Sequence, residues 1–234
     1  MKIAAIFGLA LAMVSGGNGG AAAAGGTGLV AIDVLLLPDA AMVRQARALN
    51  QALERHGRTG FALDATHVPH LTLLQCYVRR ADLTAVAAAV DSVFRGKPPL
   101  GLELTATGRF ASPVADLTAT GISVGPTPAL TQLQLGVVAA VAPFIRHGGT
   151  AAAFVDAPQS ATIGSTANYV DRFIPAASGT NFRPHVTAGI GHVDLVARLV
   201  AEPFVPFAFK IVGAAIYQLG DGGTARKQLW IWHP

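Results

Sequence analysis

Two pentapeptides in this chain are near repeats of one another, Pro69-His70-Leu71-Thr72-Leu73 and Pro184-His185-Val186-Thr187-Ala188. Each begins with proline, which fits the first residue of a strand and poorly its interior. In an extended segment residues two apart share a face. His70 and Thr72 therefore present an imidazole and a hydroxyl together, as do His185 and Thr187, while Leu71, Leu73, Val186 and Ala188 turn into apolar packing. A chain carrying one such strand in each half is expected to be a duplicated unit whose equivalent strands meet across a groove.

The remaining elements suit that arrangement. Leu29 to Leu37 reads as one continuous apolar strand closed by Pro38, of the kind covered on both faces. A helix is expected from about Ala40 to His56, with Met42, Val43, Ala46, Leu49 and Leu53 on its buried face and Gly57 placed to end it. Extended segments follow over Phe61 to Val68 and His70 to Val78. Then come a helix over Leu83 to Phe94 and strands over Leu100 to Phe110 and Ala119 to Val124. A third helix is expected from Thr127 or Pro128 to Ile145. Phe154 to Asn181 is the least regular stretch and reads as a loop that is either functional or disordered. The order closes with a strand from His185 to Ile190, a helix from Asp194 to Ala201 capped by Asp194, and strands over Phe207 to Leu219 and Lys227 to Trp232 joined at Asp221-Gly222-Gly223. The mixture is α+β, with helices outside the sheet.

The first residues stand apart from this pattern. Lys2, an apolar run from Ile3 to Val14 and a small-residue stretch from Ser15 to Gly28 follow the order of a cleaved signal peptide. It is read over residues 1–24, leaving 25–234 as a single domain in the periplasm or outside the cell. The apolar run is shorter than the ~20 residues that span a bilayer. No stable membrane span is therefore expected after cleavage, although 52% of the residues are hydrophobic and mean hydropathy is +0.48. Cys76 is the single cysteine, which excludes an intramolecular disulfide; it reads as a buried packing residue. The net charge is +4, and less the one charge of Lys2 it is +3. With 13% charged residues and no Lys/Arg run, the chain lacks the basic stripe that tracks an extended nucleic acid, while a small anionic ligand is compatible.

The paired His-x-Thr strands resemble the signature of the 2H phosphoesterase superfamily, which includes bacterial RNA 2',3'-cyclic phosphodiesterases, also called 2'-5' RNA ligases. The resemblance follows the element order from about Val30 onward and is sharp at the two pentapeptides. Ala188 departs from it, standing where a larger aliphatic residue is usual, which touches packing and leaves the polar pair intact. The resemblance implies a bilobal, duplicated fold with antiparallel sheets around a central cleft and helices outside, in which His70, Thr72, His185 and Thr187 line the cleft. It implies no cofactor, and as partner a small nucleotide or short RNA end; a monomer is expected.

The residue types fit phosphoryl chemistry in their own right. Opening a cyclic phosphate needs a base to take a proton from water and an acid to protonate the departing ribose oxygen on the opposite side of phosphorus. Histidine serves both roles near neutral pH, so His70 and His185 are the expected catalytic pair, with the order of acid and base open. Thr72 and Thr187 are expected to donate to the non-bridging oxygens, and Arg183 to reach a phosphate oxygen. Tyr77, Tyr169 and Phe182 are candidates for stacking on a base, against the alternative that they are core. His67 lies near His70, but no Cys or Asp/Glu cluster with ligand spacing accompanies it, so no metal is expected. Two other function classes stay open: a non-catalytic nucleotide- or anion-binding protein that keeps the cleft, and a structural protein in which both pairs pack internally.

Overall fold

The computed structural model describes residues 28–56, 60–155 and 163–234. The leader and Gly57 lie outside them. The first strand, β1 (Leu29–Pro38), is almost wholly buried because it is flanked by a strand on each side and carries apolar residues on both faces. Asp33 is its one charged residue. The first helix, α1 (Ala40–Arg55), is started by Asp39, whose Oδ1 accepts from Ala41 N and Met42 N at 3.0 and 3.2 Å. Met42, Ala46, Leu49 and Leu53 form its buried face as the spacing predicts, together with Asn50, while Val43 is only half-buried.

The next expected strand, Phe61 to Val68, does not form. Several of its backbone groups go to side chains instead of to a ladder. Asn50 of α1 donates to Phe61 O and accepts from Leu63 N, at 2.8 and 3.0 Å, and Asp64 Oδ1 accepts from Thr66 N and His67 N, at 2.7 and 3.1 Å. Strand β2 (Leu71–Arg79) follows, then α2 (Leu83–Gly96), β3 (Glu103–Val114) and β4 (Leu117–Val124). The β3–β4 hairpin is longer than expected and turns through Ala115, at a φ of 50°. Helix α3 (Pro128–Val141) is capped by Thr127 and gives way at Ala142–Phe144 to a tighter turn containing Pro143, so it stops short of Ile145.

The largest departure from the sequence reading lies in Phe154 to Asn181. Much of it is helix α4 (Ile163–Ala177), which buries Thr166, Val170 and Phe173. A threonine on the buried stripe and Pro175 near the end hide the helical period from a pattern of apolar residues alone. Strand β5 (His185–Gly191) leads to α5 (Val193–Ala201), where His192 occupies the cap position and Asp194 sits in the first turn rather than capping it. Strands β6 (Phe207–Leu219) and β7 (Ala225–Ile231) complete the chain. Among the described residues no helix is long and apolar enough to cross a membrane.

All strand pairs are antiparallel, in the order β1-β2-β5-β4-β3-β6-β7, and β1 also pairs with β6. The pairings thus run in a circuit of six strands with β7 attached to β6. Two places in that circuit are thin. Strands β2 and β5 share one pair, Leu71 with Val186, and β3 meets β6 over four, Glu103–Ala106 with Phe207–Lys210. They divide the protein into one lobe of β1, β2, β6 and β7 and another of β3, β4 and β5. The lobes interleave in sequence, because the chain's end returns to pair with its first strand.

Candidate active site

A cleft of about 750 Å³ opens where the two lobes meet at β2 and β5. The single Leu71–Val186 pair fixes the geometry of both motifs. Leu71 and Val186 are fully buried, so His70, Thr72, His185 and Thr187 lie on the other face, and the antiparallel register sets His70 toward Thr187 and Thr72 toward His185. All four line the cleft.

Each motif strand then bulges at the same place. Between the β1 pairs Val34–Leu74 and Leu35–Thr72 one residue of β2, Leu73, is passed over; between Thr120–Gly189 and Gly121–Thr187 one residue of β5, Ala188, is passed over. These are the fifth residues of the two pentapeptides. A bulge residue is left out of the ladder, and in both cases a buried carboxamide takes its carbonyl: Gln134 of α3 donates to Leu73 O at 3.3 Å, and Asn50 of α1 donates to Ala188 O at 2.9 Å. The bulge also changes which residues share a side. Thr72 and Gln75, three apart, both face Asp33 of β1: Thr72 Oγ1 and Gln75 Nε2 donate to its Oδ2 at 2.8 and 2.9 Å.

Both imidazoles are oriented in the same way. Nδ1 of His70 lies 2.7 Å from Val68 O, and Nδ1 of His185 lies 2.7 Å from Arg183 O. A carbonyl only accepts, so each Nδ1 carries a hydrogen and Nε2 is left for chemistry. Beyond that bond the two rings differ. His70 Nε2 is 3.4 Å from Asp33 Oδ2. Burial disfavours charge on His70, but the hydrogen-bonding and charge of Asp33, with the Val68 carbonyl, outweigh it and raise the pKa above the ordinary histidine value. His185 has no carboxylate in ion-pair contact among the described residues and rests edge-on against Phe110, ring centres 4.7 Å apart. Burial lowers its pKa, and the nearby His70 adds to the lowering; the Arg183 carbonyl and Asp33 act in the opposite direction without overcoming it.

The 2'-5' RNA ligase superfamily model matches residues 37–223, four-fifths of the chain and both motifs. This chain belongs to that superfamily. No curated protein sequence matches it. Among solved structures, the crystal structure of E. coli LigT complexed with phosphate is similar at 13% identity and a TM-score of 0.38, over 88% of this chain and 98% of that one. Membership in the 2'-5' RNA ligase superfamily implies an enzyme of the phosphoesterase or ligase type.

The other expected site residues of this superfamily member separate on the structure. Arg183 is exposed at the cleft edge, and its guanidinium donates to Thr180 O at 2.8 Å and Phe182 O at 3.1 Å, so it braces its own loop. Tyr169 lines the cleft and is 45% exposed, available to stack. Phe182 reaches the cleft wall but is mostly core. Tyr77 is a correction: it is fully buried, donates to Ala167 O at 3.1 Å, packs edge-on against Phe154 and does not line the cleft. Cys76 is buried, with its thiol pushed up to about 12 by desolvation and then by Asp33. His67 sits in a turn, stacked on Phe61 and bonded to Arg226 at 2.9 Å.

Three residues that shape the site escaped the sequence reading. Asp33 had a signal, since a lone carboxylate in a strand buried on both sides must find a partner. Gln75 and Phe110 had none. Phe110 pairs with Gly121 across the hairpin, and a Cβ at Gly121 would meet Phe110 Cε1 and Thr187 Cα at 2.8 Å each, so glycine there lets the ring approach the second motif closely.

Proposed function

We propose that this protein is a metal-independent phosphoesterase that hydrolyses a cyclic phosphate or a 2'-5' phosphodiester of a nucleotide or short RNA end. One histidine takes a proton from water as the oxygen–phosphorus bond forms; the other gives its Nε2 proton to the ribose oxygen as that bond to phosphorus breaks. The hydroxyl of Thr187, which has no hydrogen-bond partner among the described residues, is a donor for a non-bridging oxygen. Tyr169 offers a stacking surface for the base at the cleft mouth. The observation that carries the reading is the single β2–β5 pair, which sets both His-x-Thr faces along one cleft. The enzyme acts as an exported monomer, its leader removed.

The test is turnover by the mature protein of a panel of 2',3'-cyclic nucleotides and short RNAs ending in a cyclic phosphate or holding a 2'-5' linkage, with a chelator present. Ring opening or cleavage at an undiminished rate in chelator is expected. A complete absence of product, or loss of product on adding chelator, would overturn the proposal, and tight nucleotide binding without product would assign the cleft to a binding protein instead.

A further inference from the structure

The cleft lies above a carboxylate that the phosphoesterase reading does not use. Asp33 is fully buried, yet its Oδ1 has no hydrogen-bond donor among the described residues and its Oδ2 accepts from Thr72 and Gln75. Two neutral donors leave the charge itself uncompensated. A buried, uncompensated carboxylate is strongly unfavourable, and the usual remedy is an ionic partner. Among the described residues only His70 lies within ion-pair distance of it. Resting on the phosphoesterase reading, we infer that Asp33 is a positioning residue that keeps the proton on His70, which makes the first motif the acid facing the leaving oxygen and the second motif the base facing water.

The geometry leaves that proton usable. At 3.4 Å, and facing an oxygen that already accepts two bonds shorter than 3 Å, His70 Nε2 is held by charge and by no more than a long, weak hydrogen bond. A leaving oxygen in the cleft competes for it directly. The groups facing the pair from the surrounding elements are few. His185 on β5 repels a charged His70, Cys76 on β2 and Tyr169 on α4 feel Asp33 only as weak acids that stay neutral, and His185 is too far from Asp33 for ion pairing. The polarity of the site therefore follows from one residue of β1, outside both motifs. It also fixes how a substrate lies, with the ester oxygen that departs toward β2 and the attacked side toward β5.

Two measurements test this, and they fail separately. The first needs no turnover: the two imidazoles are titrated by NMR in the wild type and in Asp33→Asn, which keeps acceptors for Thr72 and Gln75 and removes the charge. His70 is expected to titrate above free histidine and His185 below it, with Asp33→Asn carrying His70 below free histidine and leaving His185 nearly in place. His70 titrating at or below His185 in the wild type, which needs no variant to fold, or unmoved by Asp33→Asn, would overturn the assignment. The second compares a cyclic phosphate with a 4-nitrophenyl phosphodiester, whose leaving group needs no acid. His70→Ala should lose at least about 100-fold on the cyclic phosphate and stay within about tenfold of wild type on the nitrophenyl ester, while His185→Ala loses on both. The opposite pattern would reverse acid and base. If the wild type turns over neither ester, the phosphoesterase reading falls, and the titration still decides whether Asp33 holds the proton.

Discussion

In both motifs a proline leads into a strand, an imidazole hangs by Nδ1 on a carbonyl two residues upstream at 2.7 Å, and a bulge follows the threonine with its carbonyl held by a buried amide. The surroundings then part. The first motif backs onto Asp33, which occupies the hydroxyl of Thr72 and faces His70; the second backs onto Gly121 and Phe110, and leaves the hydroxyl of Thr187 open. On the proposed reading, hydrolysis needs one group that gives a proton and one that takes it. A repeated motif cannot supply that difference, and on that reading it comes from residues the repeat does not contain.

Removing each ring in turn should cost the most activity. His185→Ala and His70→Ala are each expected to lower kcat on a cyclic phosphate by about 10²- to 10⁴-fold. The double variant should lose little more than the worse single one, because the two act as a unit. Steady-state rates of the three proteins check this; a double loss equal to the product of the single losses would mean that the rings do not share one step.

The two threonines differ in what their loss removes. Thr187→Val removes a free donor and should lower kcat by about 10²-fold with little change in folding. Thr72→Val instead strips a partner from a buried carboxylate. Its larger effect should appear in urea unfolding, as a loss of about 1–3 kcal/mol. Equal rate and stability effects for the two valines would erase the distinction drawn from Asp33.

What the two motifs share can be probed through their clamps. Asn50→Ala and Gln134→Ala each leave the carbonyl of a bulge unsatisfied in the core, at Ala188 and Leu73, and should each destabilise by about 1–3 kcal/mol. The clamps also cross over. Asn50 ties the second motif's bulge to the loop that leads into the first, through Phe61 and Leu63, and Gln134 ties the first motif's bulge to Gly179, ahead of the second. Each variant is therefore expected to loosen the segment before the other histidine as well, which hydrogen exchange at Leu63 and Gly179 would read.

The repeat was legible because everything it needs is local: proline for the strand entry, alternation for the shared face, apolar residues for the far side. Strand β1, helix α1 and the closing β6–β7 hairpin were legible for the same reason. The bulges were not, since Leu73 and Ala188 read as ordinary apolar strand positions and only pairing reveals that each is passed over. The same slip puts Gln75 beside Thr72, against the alternation that strand periodicity predicts. Asp33 meets Thr72 across 39 residues of sequence. Helix α4 was hidden because its buried stripe includes Thr166, whose hydroxyl is satisfied by Asp221 at 2.8 Å, a partner 55 residues away. Local pattern gave the candidate reacting groups, and long-range pairing gave the groups that make their surroundings unequal.

Stability against pH should move least, and there the two motifs should pull in opposite directions. His70, raised in the folded state, contributes stability that is full below its ordinary value of 6.5 and is lost as pH climbs through the raised folded value. His185, lowered by burial, contributes stability that is present above 6.5 and is lost as pH falls through the lowered folded value. In the wild type these partly cancel across pH 5 to 8, a window about 1.5 units either side of the unperturbed histidine value. Removing one at a time exposes the other: Tm of His185→Asn should fall less on acidification than wild type, and Tm of His70→Asn should fall more. His67, also lowered by burial and by Arg226, is common to all three proteins and drops out of the differences. Parallel Tm curves for the two asparagine variants would mean that both rings sit in equivalent fields, and the asymmetry argued from Asp33 and Phe110 would have no thermodynamic counterpart.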